Sequence, residues 1–151
     1  MLKISPVKLF LLLVFLSTTL NFPQAVDSLN GYGKLTVIIK GFENDKGNCR
    51  FALDNSKDIY ESENSVWIGR ELPIKNKVVV VTIDSLKYGE YAIRVYQDEN
   101  KNAELDTDFL GIPTENYGFS NDASAWFGQP SWDKAKFFFN KPEMTIQIDI
   151  D

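Results

Sequence analysis

The chain has 151 residues, which is enough for one domain with a substantial hydrophobic core. It carries 21 acidic and 16 basic residues, and the net charge of −5 argues against binding to the phosphate backbone of nucleic acids. Histidine is absent, which excludes imidazole-based catalysis and histidine-ligated zinc, and the single cysteine, Cys49, excludes an internal disulfide.

The first 25 residues are typical of a secretory signal peptide. Lys3 and Lys8 make a basic start, and an unbroken apolar run follows from Leu9 to Leu16. The run is shorter than the roughly 20 apolar residues that a membrane-spanning helix needs, although an N-terminal anchor remains the alternative. We therefore predict a signal peptide at residues 1–25, no stable membrane insertion after its removal, and a secreted or periplasmic protein.

Residues 26–33 are predicted to be a short lead-in, and residues 34–151 a single domain. Leu35, Val37 and Ile39 occupy every second position of residues 34–40 and share one face, which indicates a half-buried strand. The following turn, Asn44 to Gly47, precedes a second alternating run with Cys49, Phe51 and Leu53 facing inward. This arrangement predicts a β-hairpin.

Further strands are predicted along the rest of the chain. Their inward-facing residues are expected to be Val79, Val81 and Ile83, then Tyr91, Ile93 and Val95, then Ala135, Phe137 and Phe139, and finally Met144, Ile146, Ile148 and Ile150. About seven short strands without a long helical pattern predict an all-β fold, an antiparallel β-sandwich of the transthyretin-like or immunoglobulin-like kind. Tyr91, just after a glycine turn, suits a tyrosine corner or simple packing equally well.

The segment from Leu110 to Asp133 lacks strand periodicity and is rich in aromatic residues. Long irregular loops in compact domains are often functional. Tyr117, Trp126 and Trp132 are therefore candidate ligand-binding residues, because exposed rings can stack on sugar faces. The alternative is that these rings pack beneath the loop and hold it in place. Ser131 is expected to begin a one-turn helix that runs to Ala135.

The stretch DENKNAELDTDF carries an oxygen-bearing side chain at every second position. Calcium takes six to eight oxygen ligands, so such a loop is a candidate calcium site. The spacing departs from an EF-hand, since Ala103 stands where the turn favours glycine and Phe109 where a glutamate belongs. The alternative is an ordinary turn in which these side chains bond the local backbone. The candidate ligands are Asp98, Asn100, Asn102, Glu104, Asp106 and Asp108.

A longer sequence pattern resembles a known family. The run from Tyr88 to Asn102, YGEYAIRVYQDENKN, is similar to a segment of the exported bacterial proteins grouped as domain of unknown function 2141 (DUF2141). Further matching stretches are GFENDKG at residues 41–47, LDTDFLGIP at 105–113, ENYGFSN at 115–121 and FGQPSWDKA at 127–135. The resemblance implies a secreted β-sandwich and carries no established activity. The family usually has histidine at Gln97 and glycine at Ala103, so a catalytic or metal role for that histidine would be lost in this chain.

These observations predict an exported, non-enzymatic binding module with no catalytic residues, which calcium stabilises. Its partner would be a protein or a glycan. The first alternative is a carbohydrate-binding domain that uses residues 110–133. The second is a hydrolase with paired carboxylates, for which Asp106, Asp108 and Glu115 are the candidates.

Overall fold

A computed structural model describes residues 30–62, 65–126 and 128–151. The predicted signal peptide at residues 1–25 lies outside the described residues. Eight strands and two one-turn helices occur in the described part of the chain. In order they are β1 (Tyr32–Lys40), β2 (Asn48–Asp54), α1 (Lys57–Tyr60), β3 (Ile68–Pro73), β4 (Val79–Lys87), β5 (Gly89–Asp98), β6 (Tyr117–Phe119), a 3₁₀ turn (Ser120–Asp122), α2 (Trp132–Ala135), β7 (Phe137–Phe139) and β8 (Glu143–Asp149).

The strands form two sheets, which confirms the predicted all-β sandwich. The smaller sheet has the strand order β4-β1-β8, and the larger sheet has the order β3-β2-β5-β6, with β7 pairing with the start of β5. One pair departs from the antiparallel expectation, because β1 and β8 run parallel. A parallel pair needs a long connection between its strands, and the whole larger sheet lies between β1 and β8 in the sequence.

The predicted hairpin of β1 and β2 is wrong. β1 pairs with β4 and β8, whereas β2 pairs with β3 and β5, so the turn between them crosses from one sheet to the other. Gly41 (φ 92°) and Gly47 (φ 69°) adopt the left-handed backbone of this crossing. The two apolar faces therefore oppose each other across the sandwich instead of lying side by side in one sheet.

The core lies between the two sheets. The inward faces predicted for β1, β2, β4 and β5 are all buried, with Leu35, Val37, Leu53 and Ile93 fully so. Near the C-terminus, Phe139, Ile148 and Ile150 are buried, whereas Met144, Ile146 and Phe137 are only half-buried. The outer faces of both sheets thus carry most of the polar side chains of the strands.

Tyr91 makes the backbone hydrogen bond expected of a tyrosine corner. Its hydroxyl donates to the carbonyl of Lys87 at 2.7 Å. Its ring stacks on Trp67 with a centroid distance of 5.6 Å. Tyr91 therefore fixes the tight connection by which the chain leaves the smaller sheet at β4 and enters the larger sheet at β5.

A second, smaller core covers one end of the outer face of the larger sheet. Ala92 packs there beneath Tyr60, Trp132 and Ala135, and the rings of Tyr60 and Trp132 meet edge to face at 5.8 Å. Ser120 ties this layer to β5, since its hydroxyl accepts from the N–H of Ile93 at 2.8 Å and donates to the carbonyl of Ala135 at 2.6 Å. No helix in the described part of the chain is long and apolar enough to span a membrane.

The segment predicted as an irregular loop, residues 110–133, contains more structure than its sequence indicates. It includes β6, the 3₁₀ turn and the start of α2. The predicted one-turn helix from Ser131 to Ala135 is present, although the Ser131 side chain makes no capping hydrogen bond. The sequence lacks strand periodicity here because β6 is only three residues long.

Candidate functional site

The first of the predicted calcium ligands, Asp98, is fully buried at the end of β5. Its carboxylate accepts from Arg50 Nε at 2.8 Å and from the backbone N–H groups of Asn102 and Ala103, both at 3.0 Å. Burial raises the pKa of the Asp98 carboxyl, but these three donors outweigh burial and place the pKa below its usual value. Asp98 therefore anchors the loop to the larger sheet.

Two asparagines and Asp106 form the next part of the loop. Asn100 Oδ1 accepts from the N–H of Asn102 at 2.9 Å, and Asn102 Oδ1 accepts from the N–H of Glu104 at 2.8 Å. The two side-chain amides donate to the carboxylate of Asp106 at 2.6 and 2.9 Å. The structure thus brings together Asp98, Asn100, Asn102 and Asp106.

The remaining predicted ligands lie elsewhere in the loop. Glu104 contributes its backbone N–H, and its side chain is exposed. Asp108 belongs to a separate turn, where its carboxylate accepts from the N–H groups of Leu110 and Ile112 at 2.8 and 3.0 Å. Glu115, which the sequence offered only as a catalytic candidate, has a structural role: it accepts from the N–H groups of Glu99 and Asp106 at 2.8 and 3.0 Å. It therefore closes the loop at its base.

Hydrogen bonds within the protein already occupy the side-chain oxygens that could bind calcium in this loop. Among the described residues, no group of three or more acidic, cysteine or histidine side chains is placed to hold a metal ion. Two carboxylates and two neutral amide oxygens have the right chemistry. An ion would have to displace the Asn100 and Asn102 amides from Asp106. The donor set therefore suits a weakly held cation rather than a tightly bound one.

Ala103 adopts the left-handed backbone that its sequence position suggested, with φ 69°, and Lys101 does the same with φ 63°. Each such residue costs about 1–2 kcal/mol relative to the right-handed region, except at glycine. Hydrogen bonds offset this strain, because the two left-handed residues turn the chain so that its N–H groups reach Asp98 and Asn100.

The larger sheet carries a groove on its outer face, and we call it the outer groove. Two cross-strand rows make its floor. Glu71, Arg50, Tyr96 and Tyr117 form the first row across β3, β2, β5 and β6, in register. The second row consists of Gly69, Ala52, Arg94 and Phe119. Gly69 and Ala52 have small side chains, so the floor is deepest at these two positions, between the larger side chains of the rows. The volume of the cavity is about 600 Å³.

Each arginine of the floor is held by a buried aspartate on the other strand. Arg50 Nε donates to Asp98, and Arg94 Nε donates to Asp54 at 2.9 Å. Both aspartates are fully buried. The same spacing, arginine followed four residues later by aspartate, occurs in β2 and β5, so the antiparallel pair forms two crossed ion pairs.

Further contacts hold the two arginines in place. Arg50 Nη1 pairs with Glu71 at 2.9 Å, and Arg94 Nη2 donates to the carbonyl of Ser65 at 2.8 Å. Burial raises the pKa of the Asp54 carboxyl, against the opposing effect of Arg94. The guanidinium groups are thus rigidly placed, and their charge is compensated within the sheet.

Loops close the outer groove at both ends. Leu105, in the loop of residues 98–108 that we call the acidic loop, lines one end together with Pro113. Val66, Gly128 and Gln129 line the opposite end. The lining of the groove is mainly apolar. The groove is therefore an elongated trough that combines apolar walls with fixed polar groups, the usual composition of a ligand site.

The three aromatic residues predicted to bind a ligand have different positions. Tyr117 lines the outer groove, and its ring meets Phe119 edge to face at 5.9 Å. Trp126 is 91% exposed in the loop that precedes the Gly128 and Gln129 wall. Trp132 is buried against Tyr60, so its ring presents no face to a ligand.

The comparison with protein families agrees with this description. Residues 37–147 match the model of a family described as an uncharacterized protein conserved in bacteria, DUF2141. The chain belongs to this family. No curated protein and no solved structure gives a significant match. At Gln97, where the resemblance suggests a histidine, the side chain is buried and its amide donates to the carbonyls of Asn44 and Lys46 at 3.3 and 3.2 Å. Gln97 therefore holds the turn between the sheets.

Proposed function

We propose that this DUF2141 domain is an exported, non-enzymatic binding module whose ligand occupies the outer groove. The observation that supports it most strongly is the groove itself, with its low floor at Gly69 and Ala52 and its fixed arginines beside aromatic rings. Export rests on the basic and apolar pattern of residues 1–25. The ligand is presented outside the cell or in the periplasm, where a partner glycan or protein is available.

The chemistry of the groove favours a neutral glycan. Arg50 is paired with Asp98 and Glu71, and Arg94 is paired with Asp54, so the guanidinium groups offer N–H donors without a net positive field. Sugar hydroxyl groups match such donors, and the aromatic side chains provide apolar surface for the faces of sugar rings. An anionic polymer is disfavoured because the chain carries a net charge of −5.

The placement of carboxylates favours binding over hydrolysis. Glycosidases need two carboxyl groups across a cleft, one of them free to donate a proton. Among the described residues that line the groove, Glu71 is the one carboxylate, and it is engaged by Arg50. The sequence offered Asp106, Asp108 and Glu115 for a hydrolase. Asp106 accepts from two side-chain amides, whereas Asp108 Oδ1 and both oxygens of Glu115 accept from backbone N–H groups.

Replacing Tyr117 by alanine should weaken glycan binding about tenfold, which corresponds to about 1.4 kcal/mol. The reason is the loss of one aromatic face from the groove floor, with little effect on the core because Tyr117 is only half-buried. Neutral and acidic glycans on an array would identify a ligand, and isothermal titration would give affinities for the wild type and the variant.

Tyr32→Ala provides the matched control for that experiment. Tyr32 is 62% exposed and lies on β1 of the smaller sheet, away from the groove. The control should bind like the wild type. An array without any neutral glycan ligand, or equal losses in the two variants, would contradict a glycan site in the groove.

We propose calcium as a weak stabilising ion of the acidic loop, in keeping with the alternating oxygen-bearing residues. The supporting observation is the convergence of Asp98, Asn100, Asn102 and Asp106 on one turn. The bound ion would supply positive charge between the two carboxylates, and these four side chains would hold it. The same loop forms one wall of the outer groove, so the ion would stiffen that wall.

Calcium should raise the melting temperature of the wild type, and Asp106→Asn should reduce the increase. Linkage gives about 2.7 kcal/mol of added stability when free calcium exceeds its dissociation constant 100-fold. Asp106 is preferable to Asp98 as the test position, since Asp98 also anchors Arg50. A wild-type melting curve unmoved by millimolar calcium would refute the ion site.

Ala103→Gly should stabilise the loop by about 1 kcal/mol with or without calcium, because glycine removes the left-handed strain.

A further inference from the structure

Gln129 lies at the end of the outer groove that Val66 and Gly128 also line. Its Nε2 donates to the carbonyl of Tyr60 at 2.7 Å. Because a carbonyl can only accept, this hydrogen bond fixes which way round the side-chain amide lies. No described residue donates to the amide oxygen Oε1, so Gln129 presents an acceptor at this end of the groove.

The backbone around Gln129 is also held in place. Pro130 is buried and restricts the residue before it to extended backbone, and α2 begins two residues later at Trp132. The ring of Trp132 packs edge to face on Tyr60, the residue whose carbonyl holds the Gln129 side chain. A ligand therefore meets a preformed acceptor and does not have to order it.

Arg94 brings hydrogen-bond donors to the same end of the groove. Its guanidinium lies over the Tyr60 ring, with the central carbon 5.6 Å from the ring centroid. Nε donates to Asp54 and Nη2 to the carbonyl of Ser65, whereas the Nη1 N–H groups have no acceptor among the described residues. The Arg94 side chain is 18% exposed. Because Asp54 compensates its charge, Arg94 acts here as a donor of N–H groups and not as an attractant for anions.

We propose that Gln129 determines the specificity of the outer groove by selecting a sugar with an unsubstituted hydroxyl group at this end, a selection that rests on the proposed function. A hydroxyl group both donates and accepts hydrogen bonds. Gln129 Oε1 accepts from one hydroxyl of a sugar ring, and Arg94 Nη1 donates to a neighbouring one. An ether, an ester or a carboxylate in place of the first hydroxyl offers acceptors alone and leaves Oε1 unpaired.

The size of the selection depends on how far water can replace the lost hydrogen bond. A site that pairs a ligand hydroxyl rejects the analogue without it, because a polar group of the site is then left unpaired. In fully buried sites the ratio of the two substrates reaches about 10⁴–10⁵. Gln129 is exposed, so water compensates part of the loss and we expect about tenfold weaker binding of the analogue.

Isothermal titration with the neutral glycan that binds best on an array, and with its monodeoxy derivatives, tests this role of Gln129. One derivative should bind the wild type about tenfold more weakly than the parent glycan. Gln129→Ala should bind the parent about tenfold more weakly than the wild type does, and should no longer distinguish the parent from that derivative. Gln129→Met, which keeps the length of the side chain without its amide, should lose the same distinction.

Gln147→Ala is the matched control, since Gln147 is an exposed glutamine on β8 of the smaller sheet and is held by Lys40 and Asp149. It should bind the parent and every derivative like the wild type. A glycan whose binding depends on Tyr117, but whose derivatives rank alike in wild type and both Gln129 variants, overturns the role of Gln129 and leaves the proposed function standing. An array without a neutral glycan ligand overturns the proposed function and the role of Gln129 together.

Discussion

Replacing Asp98 by alanine should destabilise the fold by about 3–5 kcal/mol, the usual loss when one partner of a buried ion pair is removed. The variant leaves the partly buried guanidinium of Arg50 without its main counter-charge and the N–H groups of Asn102 and Ala103 without an acceptor. Denaturant unfolding with a constant m-value would measure the loss. Glu104→Ala, an exposed carboxylate in the same loop, should change stability by about 0.5 kcal/mol or less.

The pH dependence of stability provides a second readout of Asp98. Because its pKa in the folded protein lies below the usual value of 3.8, the folded state binds its proton less readily than the unfolded chain does. The stabilisation from Asp98 is therefore fully present above about pH 4 and is lost as pH falls through the lower folded pKa. Asp98→Asn should flatten this part of the acid-unfolding profile. Equal acid profiles in wild type and variant would show that Asp98 is not the anchor.

Replacing Ile93 by alanine should cost about 2–5 kcal/mol, as expected for a large-to-small change in a packed core. Ile93 is fully buried on the inward face of β5. Ile38→Ala, on the outward face of β1 and only half-buried, should cost clearly less. Ile146→Ala is also expected to fall below Ile93→Ala, because Ile146 is half-buried. Chemical denaturation that gives equal losses at Ile93 and Ile38 would contradict the assignment of faces.

Alternation of apolar and polar residues predicted which side of each strand is buried, but it did not predict the pairing of strands. Leu35, Val37 and Ile39 are buried as expected. Nevertheless, β1 and β2 belong to different sheets. The residues of the turn at 41–47 are compatible with a crossing between sheets as well as with a hairpin, so they could not decide the pairing. Period-two patterns describe a face, and both arrangements bury the same face.

The outer groove could not be derived from the sequence, because its floor exists only once four strands are in register. Arg50 and Arg94 are 44 positions apart, and each alternates with core residues in the ordinary way. The signal available was the repeated spacing of arginine and aspartate at Arg50 and Asp54 and at Arg94 and Asp98. That spacing acquires meaning from the antiparallel register that crosses the two pairs.

In the acidic loop, the residue types themselves are compatible with two different structures. Asparagine and aspartate oxygens serve equally well as ligands of an ion or as acceptors for backbone N–H groups. In the structure, Asp98, Asn100 and Asn102 all accept backbone hydrogens, and the amides of Asn100 and Asn102 compensate Asp106. The sequence could not predict the left-handed backbone at Ala103, because alanine rarely adopts it.

The most direct test of the outer groove as the binding site is a ¹⁵N-resolved NMR titration with the neutral glycan that scores highest on the array. The Nε–H groups of Arg50 and Arg94 and the backbone N–H of Gly69 report on the floor of the groove. We expect these resonances to shift together and saturate at one dissociation constant, while that of Thr36 on the smaller sheet stays in place. Shifts confined to the smaller sheet, or none in the groove at glycan saturation, would contradict the account.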